Sequence, residues 1–215
     1  MFVHTENKRQ TIRSLIKMRK TKLIGISGVA RAGKNYFADH LMQFLKSKGY
    51  TSRDFALAHE LKLDLRDICI NKLGIDTFTQ NDEEKALIRP LLVAWGKIQR
   101  NKTSGTYWWK RLLDSIHERY YDFSIVTDIR YDFFEQDELY FVKNRGGYII
   151  HITRIIGPNG EIQPPPNQDE AENDPKIKEK ADLKFIFPNL LTMNEQERTS
   201  VLDEACEKVL NLYVN

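Results

Sequence analysis

Two glycines five residues apart, followed at once by a lysine, open the segment Gly28-Val29-Ala30-Arg31-Ala32-Gly33-Lys34-Asn35. This is the spacing G-x-x-x-x-G-K, in which backbone N–H groups curl toward one point and form a nest for an anion. A buried strand ahead of it and a helix behind it are the context the motif requires, because the helix N-terminus adds a positive dipole end. Lys34 then reaches the outer phosphates of a triphosphate as a point charge. Gly28, Arg31, Ala32, Gly33, Lys34, Asn35 and Tyr36 are accordingly the expected ATP-binding residues. The last position departs from the pattern. A Ser or Thr hydroxyl there would ligate Mg²⁺, whereas the Asn35 amide is a weaker ligand suited to a metal-bound water.

Asp128 closes the apolar run Phe123-Ser-Ile-Val-Thr127, the place from which a carboxylate holds Mg²⁺ or its water shell. The competing use of such an Asp is to cap a helix. Asn35 and Asp128 are the two candidate magnesium contacts, and Arg130 leaves the same strand end. Arginine suits phosphate because its planar fork binds two oxygens at once. Arg89, Arg100, Arg130 and Arg154 fall in segments expected to border the ligand edge of a sheet, with surface ion pairs as the alternative. Phe55 and Trp108 are candidate walls for a base. Core packing competes for Phe55 and Trp109, and Trp108 is read as the more exposed contact. His59, His117 and His151 have no metal spacing and read as structural or surface residues.

These residues need a scaffold. Short apolar runs at Leu23–Ser27, Arg53–Leu57, Phe123–Thr127, Tyr148–Thr153 and Leu183–Phe187 predict five strands. Between and after them, helical periodicity covers residues 34–48, 60–73, 106–120, 133–144 and 194–213. A further helix begins at Asp82, with Leu87, Leu91, Ala94 and Ile98 as its apolar stripe and Pro90 interrupting it. Residues 157–175, rich in Pro, Gly, Asn and acid, read as a loop, either a closing lid or an exposed disordered stretch. The fold class is therefore α/β, a five-stranded parallel sheet with helices on both faces. Its ligands bind at the carboxyl ends of the strands.

At 215 residues, 41% hydrophobic and 29% charged, the chain suits one soluble domain with insertions. A net charge of +3 does not announce nucleic acid as the main partner. No apolar run approaches the roughly 20 residues that span a bilayer. Cys69 and Cys206 form no metal pair or disulfide framework and read as buried thiols of a reducing, cytoplasmic compartment. Residues 1–20 form a basic extension with Ile12, Leu15 and Ile16 at helical spacing, and 21–215 form the domain proper.

The ordered pieces GVARAGKN, FALAHELK, IRPLLVAWGKIQR, YWWKRLL, SIVTDIRYDFFE, GGYIIHITR and ADLKFIF resemble the bacteriophage-type deoxynucleoside monophosphate kinases over most of residues 22–190. The resemblance implies a three-layer P-loop NTPase fold with a helical monophosphate-binding insert at about 58–120 and a lid at about 155–180. It implies ATP and Mg²⁺ as cofactors and phosphoryl transfer to a deoxynucleoside monophosphate. It gives Lys34, Asp128, Arg130 and Arg154 catalytic roles and Arg89, Arg100, Trp108 and Phe55 acceptor contacts. Glu135 matches a family acid. Family members are often dimers, so a homodimer is among the expectations; no nucleic acid or membrane partner is. Asn35 and Tyr36 stand where the family often has Asp and Thr, which weakens the account of metal ligation. The residues alone leave open another small-molecule P-loop kinase, a catalytically weak nucleotide-binding module, and an ATP-driven nucleic-acid enzyme.

Overall fold

In a computed structural model, residues 21–117, 120–157 and 159–214 are described. The basic extension at 1–20, with its expected amphipathic helix, lies outside them. The chain alternates strands and helices: β1 (Lys22–Ser27), α1 (Lys34–Ser47), β2 (Ser52–Phe55), α2 (Leu57–Leu73), α3 (Asp82–Lys102), α4 (Tyr107–His117), β3 (Phe123–Ile129), α5 (Glu138–Lys143), β4 (Tyr148–Arg154), α6 (Gln168–Lys180), β5 (Leu183–Phe187) and α7 (Glu195–Val214). All strand pairs are parallel, in the order β2-β3-β1-β4-β5. From β1 the chain first moves to one side, to β2 and back to β3. It then crosses to β4 and β5 on the other side, so the connections diverge at the carboxyl end of β1. That is where Gly28 begins its loop.

Alternation along the strands makes two cores. Ile24, Ile26, Phe123, Ile125, Ile150 and Ile152 pack with Phe37 and Leu41 of α1 and Cys206 and Val209 of α7. On the opposite face, Leu23, Val126 and Ile149 pack with Leu57, Leu112, Phe141 and Ile177 from α2, α4, α5 and α6. The sheet is thus covered on both faces, as a parallel sheet of apolar strands requires. Cys69 and Cys206 are buried and free. Among the described residues no helix is long and apolar enough to cross a membrane.

Three sequence expectations are corrected. The 133–144 helix is only Glu138–Lys143. Asp137 Oδ2 accepts the backbone N–H groups of Phe133 and Phe134 while Oδ1 accepts that of Glu138, a local side-chain pattern that holds 133–137 as a turn. The 157–175 stretch is not a loop throughout, nor is it merely exposed. Ile155 and Ile162 form an antiparallel bridge, and α6 starts at Gln168 behind the Pro164-Pro165-Pro166 run. Asn167 caps it by accepting the Glu170 N–H at 2.9 Å, acids fill its first turn, and Ile177 is buried beneath it. Composition read as loop because Pro175 and Asn173 lie inside that helix. Finally, α3 runs on through Pro90, but its expected inward stripe points outward: Leu87 is 72%, Leu91 39% and Ile98 54% exposed. Its buried side is Ile88 and Arg100.

Candidate functional site: an anion nest at the carboxyl end of β1

The loop after β1 has the backbone that its glycines allow. Gly28 sits at φ 131°, where a Cβ would meet the carbonyl oxygen of Ile152 at 2.3 Å, so no side chain fits. Gly33, at φ 93°, is left-handed and hands the chain to α1. Arg31 also has positive φ, 67°, in the middle of the turn. Lys34, the first residue of α1, folds its side chain back: Nζ donates to Gly28 O at 2.7 Å and Val29 O at 2.9 Å. Burial, reinforced by the nearby Arg130 cation, pulls its pKa down to about 8. Asn35 and Tyr36, in the same first turn of α1, are exposed.

Arg130 faces this loop from the end of β3. A small cleft between them is lined by Gly28, Ile129, Arg130, Glu170, Asp174 and Ile177. Arg130 is fixed through its backbone, because Glu138 Oε2 accepts the N–H groups of Arg130 at 2.7 Å and Tyr131 at 3.0 Å. Burial pushes the Glu138 carboxyl up to about 8, against the pull of Arg100. Arg154, at the end of β4, joins the loop from the other side: Nη1 donates to Arg31 O at 3.5 Å and Nη2 to Asn189 Oδ1 at 3.3 Å. Lys34, Arg130 and Arg154 therefore converge on one strand edge.

Asp128 serves the scaffold as well. Its two oxygens accept the backbone N–H groups of Leu57 at 2.8 Å and Ala58 at 2.9 Å, capping α2 from another strand. The residue before that helix, Ala56, offers no side-chain cap, so the capping use weighed for Asp128 is realised. Between the pairs Gly25–Val126 and Ser27–Ile129, one residue of β1 (Ile26) stands against two of β3 (Thr127 and Asp128), a bulge that redirects the chain beside the site. Burial raises the Asp128 pKa, opposed by those two N–H groups and by Arg130 and Lys34.

Other expected contacts lie elsewhere. Arg100 is buried: Nη2 donates to Asp137 Oδ2 at 2.6 Å, Glu138 is 4.0 Å away, and the guanidinium lies 3.5 Å from the Tyr131 ring centre. Arg89 is exposed on α3. Trp108, expected to be the exposed aromatic, is 4% exposed and donates its Nε1–H to Gly96 O. Its spacing on α4 faces the core, so that reading is corrected. Trp109 is core too, while Phe55 is half-buried near Tyr121. Glu135 is exposed in the turn; the acids that touch Arg130 are Glu138, at its backbone N–H, and Glu170, at its guanidinium. His151 is buried and pairs with Asp174 at 3.0 Å, while His59 and His117 are exposed. Sequence reasoning missed Glu138 and Glu170. Nothing in their spacing sets them apart from other acids in helix first turns.

Among the described residues no three His, Cys, Asp or Glu side chains form a metal cage. A magnesium carried by phosphate oxygens needs only one or two protein contacts. Asn35, with its exposed amide, and Asp128, whose oxygens each accept one N–H and keep a lone pair, fit that smaller demand.

No family model and no curated protein sequence matches the chain. Among solved structures, shikimate kinase from Acinetobacter baumannii in complex with shikimate aligns over 93% of this chain and 98% of its own, with 13% identity and a TM-score of 0.44. The crystal structure of APE1195 aligns over 90% and 98%, with 15% identity and a TM-score of 0.35. At those values neither likeness bears on the reaction. The parallel five-stranded order and the glycine-lysine loop after β1 make this a P-loop kinase-like α/β fold on their own terms.

Proposed function

We propose that the chain transfers a phosphoryl group from ATP to a deoxynucleoside 5′-monophosphate, giving ADP and the deoxynucleoside diphosphate. The observation that carries the reading is the convergence of Lys34, Arg130 and Arg154 on a glycine-bounded nest at the divergence point of the sheet. Phosphoryl transfer asks little covalent help of a protein. It asks that two phosphates be held in line and their charge neutralised. The nest and the α1 N-terminus bind the triphosphate, Lys34 swings from its two carbonyls to the outer phosphates, and Arg130 and Arg154 neutralise the group in transit. Mg²⁺ bound with the nucleotide supplies further charge neutralisation, and Asn35 and Asp128 are the residues that would hold its water shell. The helices α2 to α4 form the acceptor wall, with Arg89 and Phe55 as its accessible candidates. The α6 segment is the lid.

A coupled ADP-release assay across dAMP, dGMP, dCMP, dTMP and hydroxymethylated dCMP tests this. Turnover with at least one is expected. No turnover with any of them, alongside turnover with a different acceptor, sinks the deoxynucleotide assignment. One observation favours that second outcome, a kinase for another small molecule. Arg100 and Trp108, two of the four acceptor contacts implied by the resemblance, are committed to internal partners.

A further inference from the structure

Glu170, in the first turn of α6, places its carboxylate inside the nest. Oε2 accepts the Ala30 N–H at 2.7 Å, and Oε1 accepts from Arg130 Nη1 at 2.8 Å. The side chain is only 11% exposed. Ala30 is in the middle of the glycine loop, so its N–H is one of the groups a phosphate oxygen would take. A carboxylate held by a nest N–H on one side and an arginine on the other has the partners of a bound phosphate. We propose that Glu170 is an internal anion of this site, which any incoming phosphate or polyphosphate must displace, and so a residue that lowers every anion's affinity for the nest by a common factor. The inference rests on reading the nest as the triphosphate site.

The consequence is a threshold. Every anion that enters loses the same contribution, the breaking of two charge-assisted hydrogen bonds. A single phosphate has little else with which to offset it. A triphosphate gains Lys34, Arg154 and the α1 N-terminus in exchange. Displacement also frees α6, because Glu170 is its contact with both the loop and Arg130. What remains to hold the helix includes Ile177, the His151–Asp174 pair, Lys178 on Thr153 Oγ1 and, at its far end, the Lys180–Asp132 ion pair. Nucleotide entry and movement of α6 are therefore one event.

Calorimetric titration without magnesium tests this, using tripolyphosphate, inorganic phosphate and an unreactive ATP analogue on the full chain, Glu170→Gln and Glu170→Ala. Leaving out magnesium separates an anion plug from a metal contact. The variants are expected to bind all three probes about tenfold more tightly, the scale set by losing a charge-assisted hydrogen bond. Amide exchange across 168–177 should rise when the wild type binds the analogue and should already be raised in the variants. Unchanged or weaker binding in both folded variants, with a wild type that binds, overturns the role of Glu170 alone. No binding by any of the three proteins overturns both the plug and the nucleotide reading.

Discussion

Asp128 Oδ1 accepts the backbone N–H of Leu57 at 2.8 Å, which ties the end of β3 to the start of α2. The residue proposed to hold the metal's water shell is thus also the cap of the helix that opens the proposed acceptor side. Asp128→Asn keeps one oxygen acceptor and loses the charge. It should cost about 1 kcal/mol of stability, the usual scale of a cap, and should lower kcat more than it weakens binding of the ATP analogue. Urea unfolding beside steady-state kinetics reads both; equal losses in kcat and affinity would contradict the dual role.

Arg100 and Asp137 form a buried pair whose removal leaves a charge without a partner. Arg100→Leu should destabilise the protein by about 3–5 kcal/mol, seen as a lower urea midpoint. Asp137→Asn should also destabilise, since Asp137 holds the turn at Phe133 and Phe134. If Arg100→Leu instead leaves stability intact and raises KM for the acceptor alone, its guanidinium belongs to the substrate.

Lys34 carries a pKa pulled from 10.5 to about 8. A depressed folded value means that the unfolded chain binds the extra proton between about 8 and 10.5. Wild-type stability should therefore rise with pH through that window, relative to Lys34→Met, by on the order of 3 kcal/mol. Thermal unfolding of both proteins from pH 7 to 11 measures the difference. Lys34→Met should also abolish binding of the ATP analogue at every pH.

Glu138 has the opposite sign. With its carboxyl raised from 4.5 to about 8, the folded state holds a proton that the unfolded chain releases. Its contribution is fully present below about 4.5 and is lost as pH rises through about 8. Glu138→Gln, which keeps an oxygen for the N–H groups of Arg130 and Tyr131, should flatten that slope in the stability profile. A variant with the wild-type slope would place the titration elsewhere.

The sequence by itself determined the five strands, the nest and the lysine. Apolar runs bounded by turn residues and the Gly28, Gly33, Lys34 spacing are local facts, fixed by backbone sterics and by burial of the central strands β1, β3 and β4 on both faces. Where periodicity had two possible partners, sequence alone could not choose. The apolar stripe of α3 looks like a core face, yet the helix buries Ile88 and Arg100 because Asp137, 37 residues on, is there to pair with the arginine. Trp108 looks like a surface aromatic until α4 rotates it toward Gly96. Pro175 and Asn173 looked like loop, but burial of Ile177 against the sheet holds them in a helix. Glu170 was one acid among many; only folding α6 back over β1 brought it 140 residues, to the N–H of Ala30. Charge pairing and packing between distant segments are properties of the tertiary structure, because an isolated segment carries the side chain but not the neighbour that decides which way it turns.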